Sequence, residues 1–225
     1  MLTNVEQEFV EAIKTDNRPR VRHLLESNPS LARMKTPDGL SPVFLALYRG
    51  NKQLAATIAR SKGSLDIFEA ASLGELERLK QIVEKNPSII NSYSPDGFTP
   101  LALAAYLGQK DTVEYLISKG ANVNALAKNT TGFTALTGAV SQNNTEITKI
   151  LVENGANVNH QYEGGYTPLI HAAASGNLEL VRILLDANAN PNVRTKDGTT
   201  ALSAAISKEH AEVAKVLKSH GVKQS

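Results

Sequence analysis

Five histidines, His23, His160, His171, His210 and His220, are the residues of this 225-residue chain best suited to bind a metal or to move a proton near neutral pH. No two of them stand three or four residues apart, the spacing that sets two imidazoles on one helical face, so their distribution argues against a metal site. There are no cysteines, which excludes disulfides, thiolate ligands and a cysteine nucleophile. Acid–base chemistry needs two carboxyls converging on a pocket. The carboxylates here fall instead at pairing distance from bases, as in Glu146 with Lys149 and Glu179 with Arg182 at i,i+3, and these are expected to be surface ion pairs. Gly132 and Gly164-Gly165 are not followed by the lysine of a phosphate loop and read as turn glycines. The chain is therefore read as non-enzymatic, with no cofactor and no metal.

Composition narrows the partners. With 41% hydrophobic and 20% charged residues the chain has the makings of a folded protein, and a formal charge of +2 gives no long-range pull on a polyanion. No run approaches 18 apolar residues, so no membrane span is expected, and Met1 to Phe9 lacks the basic and apolar segments of a secretory signal. The expected compartment is the cytoplasm. One local basic cluster, Lys14, Arg18, Arg20, Arg22, Arg33 and Lys35, stands near the N-terminus without interleaved aromatics for base stacking, so nucleic acid is disfavoured as a partner.

The elements that would position any site come from a repeat. Phe98-Thr99-Pro100-Leu101, Phe133-Thr134-Ala135-Leu136, Tyr166-Thr167-Pro168-Leu169 and Thr199-Thr200-Ala201-Leu202 return about every 33 residues. In the unit that begins at Asp96-Gly97, the turn pair makes a finger tip, Thr99 is the N-cap and Pro100 the first residue of a short helix through Leu107. Gly108 breaks that helix, a second runs from about Asp111 to Lys119, and Gly120 supplies a left-handed C-cap. The turn between helices recurs at Asp16, Gly50, Gly74, Gly108, Asn143, Gly176 and Glu209. These positions predict about seven units, approximately 1–35, 36–63, 64–93, 94–127, 128–161, 162–194 and 195–225, in a single array over residues 1–225. A left-handed C-cap is expected at Asn28, Asn86, Gly120, Gly155, Asn188 and Gly221.

Two irregularities stand out. Gly50 and Gly74 are only 24 residues apart, so one finger is missing after Gly63 and Asp66 is expected to cap the next helix directly, leaving a notch. Asn28-Pro29-Ser30 and Pro37-Asp38-Gly39 recur 58 residues later as Asn86-Pro87-Ser88 and Pro95-Asp96-Gly97, the mark of a duplicated two-unit block. Charged residues in the first and last units read as end caps, with Val222 to Ser225 as a frayed tail.

This order of finger, Thr-Pro-Leu phrase, two helices and exit resembles the ankyrin repeat. Gly120-Ala121-Asn122-Val123-Asn124 and Gly155-Ala156-Asn157-Val158-Asn159 differ from that family's Gly-Ala-Asp-Val-Asn exit by one Asp-to-Asn change. The resemblance implies an all-α ankyrin-repeat solenoid of helix pairs with hairpin-like fingers. It also implies a protein–protein interaction scaffold whose concave side is lined by the fingers and first helices. Carried onto this sequence, that surface takes in Leu40, Tyr48, Arg49, Phe98, Tyr106, Leu107, Phe133, Gln142, Tyr166, Ser175 and Lys208. Tyr48, Arg49, Phe98, Tyr106 and Tyr166 lead because Tyr, Phe and Arg side chains carry binding energy. For Phe98, Phe133 and Tyr166 two readings stay open, bracing of a finger or contact with a partner. The partner is an unidentified protein, and the default oligomeric state is a monomer. The alternative is a small ligand or nucleic acid held at the Gly63–Asp66 notch or by the basic N-terminal cap.

Overall fold

Helix starts in this chain are set by side-chain oxygens that satisfy backbone N–H groups left without partners in the first turn. In the computed structural model, which describes residues 2–221, Thr3, Ser41, Asp66, Thr99, Thr134, Thr167 and Thr200 each accept from the N–H three residues on and open the first helix of a pair. Those first helices are α1 (Asn4–Lys14), α3 (Pro42–Tyr48), α5 (Ile67–Leu73), α7 (Pro100–Leu107), α9 (Ala135–Ser141), α11 (Pro168–Ser175) and α13 (Ala201–Ser207). Each is followed by a second helix, respectively α2 (Arg18–Ser27), α4 (Lys52–Lys62), α6 (Leu76–Lys85), α8 (Lys110–Ser118), α10 (Thr145–Glu153), α12 (Leu178–Asp186) and α14 (Ala211–Ser219). Between the helices of each pair the backbone turns through a left-handed residue, and all seven expected positions take it, from φ 52° at Asp16 to 79° at Gly108. Asp16, Asn143 and Glu209 do so without being glycine.

The C-caps divide into two kinds. Gly120, Gly155, Asn188 and Gly221 are left-handed, as is Gly63 in the second unit. Asn28 and Asn86 are not; they sit at φ −145° and −146°. The cause is the proline that follows each, which crowds the preceding residue out of helical and turn conformations into extended backbone. Asn28 uses its side chain instead, accepting from Ser30 N at 3.2 Å, and each asparagine opens a short 3-10 turn, Pro29–Arg33 or Pro87–Asn91.

Units are tied by two rows of hydrogen bonds. Asn124 donates to Gly155 O (2.9 Å) and accepts from Asn157 N (2.8 Å), and Asn91 and Asn159 repeat this pattern toward their next units. Arg33, 58 residues before Asn91, does the donor half of that work on Lys62 O at 3.1 Å. Finger tips form the second row, with Lys128 N donating to Gly97 O, Glu163 N to Thr131 O and Lys196 N to Gly164 O at 2.8–3.1 Å. Pro95 occupies the place of Lys196 in its unit and has no N–H, so the row stops there. The finger of residues 36–40 meets the Pro95 finger by packing alone, so closely that a Cβ on Gly39 would lie 3.2 Å from Pro95 Cβ. This contact is possible because the fingerless pair α5–α6 puts nothing between them.

The core is divided at the same place. One cluster joins Phe9, Ile13, Val21, Leu25, Phe44, Leu47, Leu54 and Ile58; the other runs from Ile67 to Leu217 through the remaining helices. Leu103 and Leu107 of α7 belong to the first cluster, reaching back past α5. Across the junction Lys62 Nζ lies 2.6 Å from both carboxylate oxygens of Glu69, with side chains 11% and 0% exposed. Glu69 Oε2 also accepts from Asp66 N (3.2 Å), closing a capping box. The expected i,i+3 surface pairs do not form. Glu146 reaches the preceding unit's Lys110 at 2.5 Å, Lys149 lies 3.9 Å from Glu153, and Glu179 and Arg182 are not paired. No helix among the described residues is long and apolar enough to cross a membrane. Val222 to Ser225, expected as a tail, lie outside the described residues.

Candidate functional site

The first helices carry an apolar cup of about 200 Å3. Its walls come from three units that are not all consecutive. Tyr48 ends α3. Phe98, Ala102, Leu103 and Tyr106 come from the finger root and one face of α7. Phe133, Thr134 and Gly138 come from the entry and middle of α9. Gly138 has a specific part: a Cβ there would lie 3.3 Å from Tyr106 Cβ, so its absence lets Tyr106 lie close over α9. Tyr48 is fixed from two sides. Its ring packs on Phe44 at 5.7 Å and its hydroxyl donates to Asp96, which also accepts from Ser94 Oγ at 2.5 Å. Partial burial of the ring, then the Asp96 hydrogen bond and charge, raise the Tyr48 phenol above its usual range, so the hydroxyl stays a donor.

Phe133 is braced from behind. Its ring meets Tyr162 edge-on at 5.2 Å, Tyr162 stacks on Tyr166 at 6.2 Å, and the Tyr162 hydroxyl lies 3.5 Å from His171 Nδ1. Burial pushes Tyr162 up to about 12 and lowers His171, as expected of groups whose charged forms are poorly solvated. The finger aromatics occupy different places. Phe98 and Phe133 line the cup, whereas Tyr166 packs on Tyr162 outside it and keeps 37% of its surface exposed.

Of the residues expected on this surface, the structure brings Tyr48, Phe98, Tyr106 and Phe133 together. Gln142 joins Tyr48 and Tyr106 along a neighbouring open groove of about 370 Å3. Arg49, Ser175 and Lys208 are exposed but line neither. Leu40 is half-buried against the N-terminal core. Leu107 is 8% exposed with its side chain packed into that core, yet it borders the same groove as Gln142, and its carbonyl accepts from Lys52 Nζ at 3.0 Å. Its helix end looks outward in a regular array, but the missing finger brings the α3–α4 pair down onto it.

Sequence reasoning missed Gly138, Asp96 and Tyr162. A glycine inside a helix costs roughly 1 kcal/mol relative to alanine, which was a legible signal for Gly138. Tyr162 stands four residues before Tyr166 at the root of the same finger, and Asp96 had only a turn role.

The other two candidate places are the notch and the basic cap. At the notch an open groove of about 580 Å3 is bordered by Gly63, Ser64 and Leu65, but Glu69 is turned away from it, buried against Lys62. In the basic cap Arg18 pairs with Asp16 at 3.0 Å, Arg20 with Glu8 at 2.6 Å, and Arg33 is held by Lys62 O. Among the described residues no three His, Asp or Glu side chains are gathered closely enough to hold a metal ion.

Known proteins share the pattern. Residues 67–162 and 139–225 match the family model described as ankyrin repeats (3 copies), together more than half of the chain. The chain is 38% identical over 100 residues to ankyrin repeat and SAM domain-containing protein 6 of Rattus norvegicus, covering 44% of this chain and 11% of that protein. It is 30% identical over 126 residues to alpha-latrocrustotoxin-Lt1a of Latrodectus tredecimguttatus, covering 52% and 9%. Against DNA-binding protein RFXANK of Homo sapiens it is 36% identical over 80 residues, covering 36% and 30%. The chain thus spans less than a third of the length of each of these relatives.

Proposed function

Because this chain belongs to the ankyrin repeat family, we propose that it is a non-enzymatic scaffold that binds a partner protein through its concave first-helix face, with the Tyr48–Tyr106–Phe133 cup as the anchor point. Repeats of this family are interaction modules, and the single observation that carries the reading here is the cup itself. It is apolar, it is shaped by four aromatic rings, and two of them, Tyr48 and Phe133, are held in place by contacts outside the cup, so less ordering is left for association to bear. A cavity of about 200 Å3 suits one leucine, isoleucine or phenylalanine side chain presented by a partner. The Asp96 carboxylate at the rim has no lysine or arginine within ion-pair distance among the described residues and favours a partner with a basic residue beside that anchor. The units, read as seven in one array, give the face its length.

The test uses the full chain as bait beside the triple variant Tyr48→Ala, Tyr106→Ala, Phe133→Ala and the single variant Tyr166→Ala. A protein retained by the wild type and by Tyr166→Ala, lost by the triple variant, and then shown by calorimetry to bind the purified chain directly, supports the proposal. A directly binding partner whose affinity for the triple variant equals that for wild type refutes it.

A further inference from the structure

The second helices of the first two units carry a donor-lined pocket that the concave-face reading leaves unused. Arg18 and Arg22 stand one helical turn apart on α2, and Gln53, Thr57 and Arg60 recur along one face of α4, which packs beside it. Together with Leu54 they line a cavity of about 250 Å3 that contains no carboxylate. Among the described residues neither Arg22 nor Arg60 has an acidic group within 4.0 Å. Clustered like charges on adjacent turns destabilise a helix unless something neutralises them.

Of the two side-chain acceptors lining the pocket, the Thr57 hydroxyl donates its proton to Gln53 O at 3.0 Å and keeps its lone pairs, and the other is engaged. Gln53 Oε1 accepts from Arg18 Nη1 at 2.8 Å, which leaves the Gln53 amide hydrogens as donors. Asp16 lies outside the cavity and is taken by Arg18 Nε and Nη2 and by Asn51. Arg60 is oriented by Nε donating to Ala56 O at 3.2 Å, so its two terminal nitrogens are the ones left for a ligand. Arg22 brings all five of its N–H groups. A fork of guanidinium donors around a small volume matches a tetrahedral oxyanion that accepts from several directions.

We infer that this pocket between α2 and α4 binds a single phosphomonoester group, with Arg22 and Arg60 as its two principal ligands and Arg18 and Gln53 completing the donor set. An extended polyanion fits poorly. Asp16 stands at one end of the stripe and Glu26, one turn beyond Arg22, at the other, so phosphates to either side meet like charge. No aromatic ring lines the cavity to stack a base. The site lies on the opposite helix row from the cup and does not depend on it.

Nuclear magnetic resonance titration of the full chain tests this, using O-phosphoserine, a five-residue alanine peptide with a central phosphoserine, the same peptide unphosphorylated, and a ten-nucleotide single strand. The expected result is saturable shifts of α2 and α4 amides with both phosphorylated probes and none with the plain peptide, with affinity for the phosphopeptide reduced roughly tenfold or more in Arg22→Gln/Arg60→Gln. Tighter binding of the phosphopeptide than of the amino acid assigns the natural ligand to a phosphorylated protein; equal binding assigns it to a free metabolite. If the glutamine pair does not fold, Arg22→Lys/Arg60→Lys keeps the charge but removes the fork, and severalfold weakening is expected there. Absence of saturable shifts, unchanged affinity in the variants, or tighter binding of the oligonucleotide overturns the inference.

Discussion

Removing the lysine of the buried pair at the notch tests how the two halves of the array are joined. In Lys62→Ala the Glu69 carboxylate, 0% exposed and now 2.6 Å from nothing charged, keeps only the Asp66 N–H at 3.2 Å. Breaking a buried pair by deleting one partner costs about 3–5 kcal/mol, far more than the 0–1 kcal/mol of a solvated pair. At roughly 2–4 °C per kcal/mol for a chain of this size, the thermal midpoint should fall by roughly 6–20 °C. Replacing both groups, Lys62→Met with Glu69→Leu, should recover all but about 1–2 kcal/mol, because the uncompensated charge is gone and what remains lost is the capping box. The assay is guanidinium denaturation followed by circular dichroism on wild type, Lys62→Ala and the double variant. A loss below about 1 kcal/mol in Lys62→Ala, or a double variant as unstable as the single, would refute the reasoning and place the pair in solvent.

Two further outcomes are expected. Gly138→Val puts two methyl groups into the cup where even one Cβ meets Tyr106 at 3.3 Å; it should lower stability by about 1–3 kcal/mol in chemical denaturation and abolish binding of any partner that uses the cup. His171 has its pKa lowered by burial, so the folded state resists protonation and this residue's contribution to stability is present above the unfolded value near 6.5 and lost as pH falls below it; the fall in thermal midpoint between pH 7.5 and 5.5 should be smaller in His171→Gln, and an equal fall would remove His171 from the account.

Local chemistry made most of the fold legible. Thr99, Thr167 and Asp66 cap the helices that their types and neighbours predict, and the seven inter-helix turns take the left-handed conformation even where Asp16, Asn143 or Glu209 replaces glycine. Asn28 and Asn86 depart from the Gly120 pattern because the proline next door imposes a constraint that is steric and immediate. The cup was legible in part. Tyr48, Phe98, Tyr106 and Phe133 follow from residue type and register, but their convergence does not, since Tyr48 reaches Asp96 only after an intervening finger has been deleted. The burial of Leu107 has the same cause, and the Lys62–Glu69 contact joins residues whose burial depends on how two units dock.

Pro95 gives the molecule a mechanical property. From Gly97 to Lys196 the finger tips are stitched in series by backbone hydrogen bonds, and a proline without an N–H leaves the stitch before them unmade. Under a pull applied to its ends the array therefore carries load by backbone hydrogen bonds along its fingers on one side of that place and by side-chain contacts across it. That link is made by side chains, Gly39 packed on Pro95 and the Tyr48 hydroxyl on Asp96, so a load along the array passes through the wall that Tyr48 contributes to the cup.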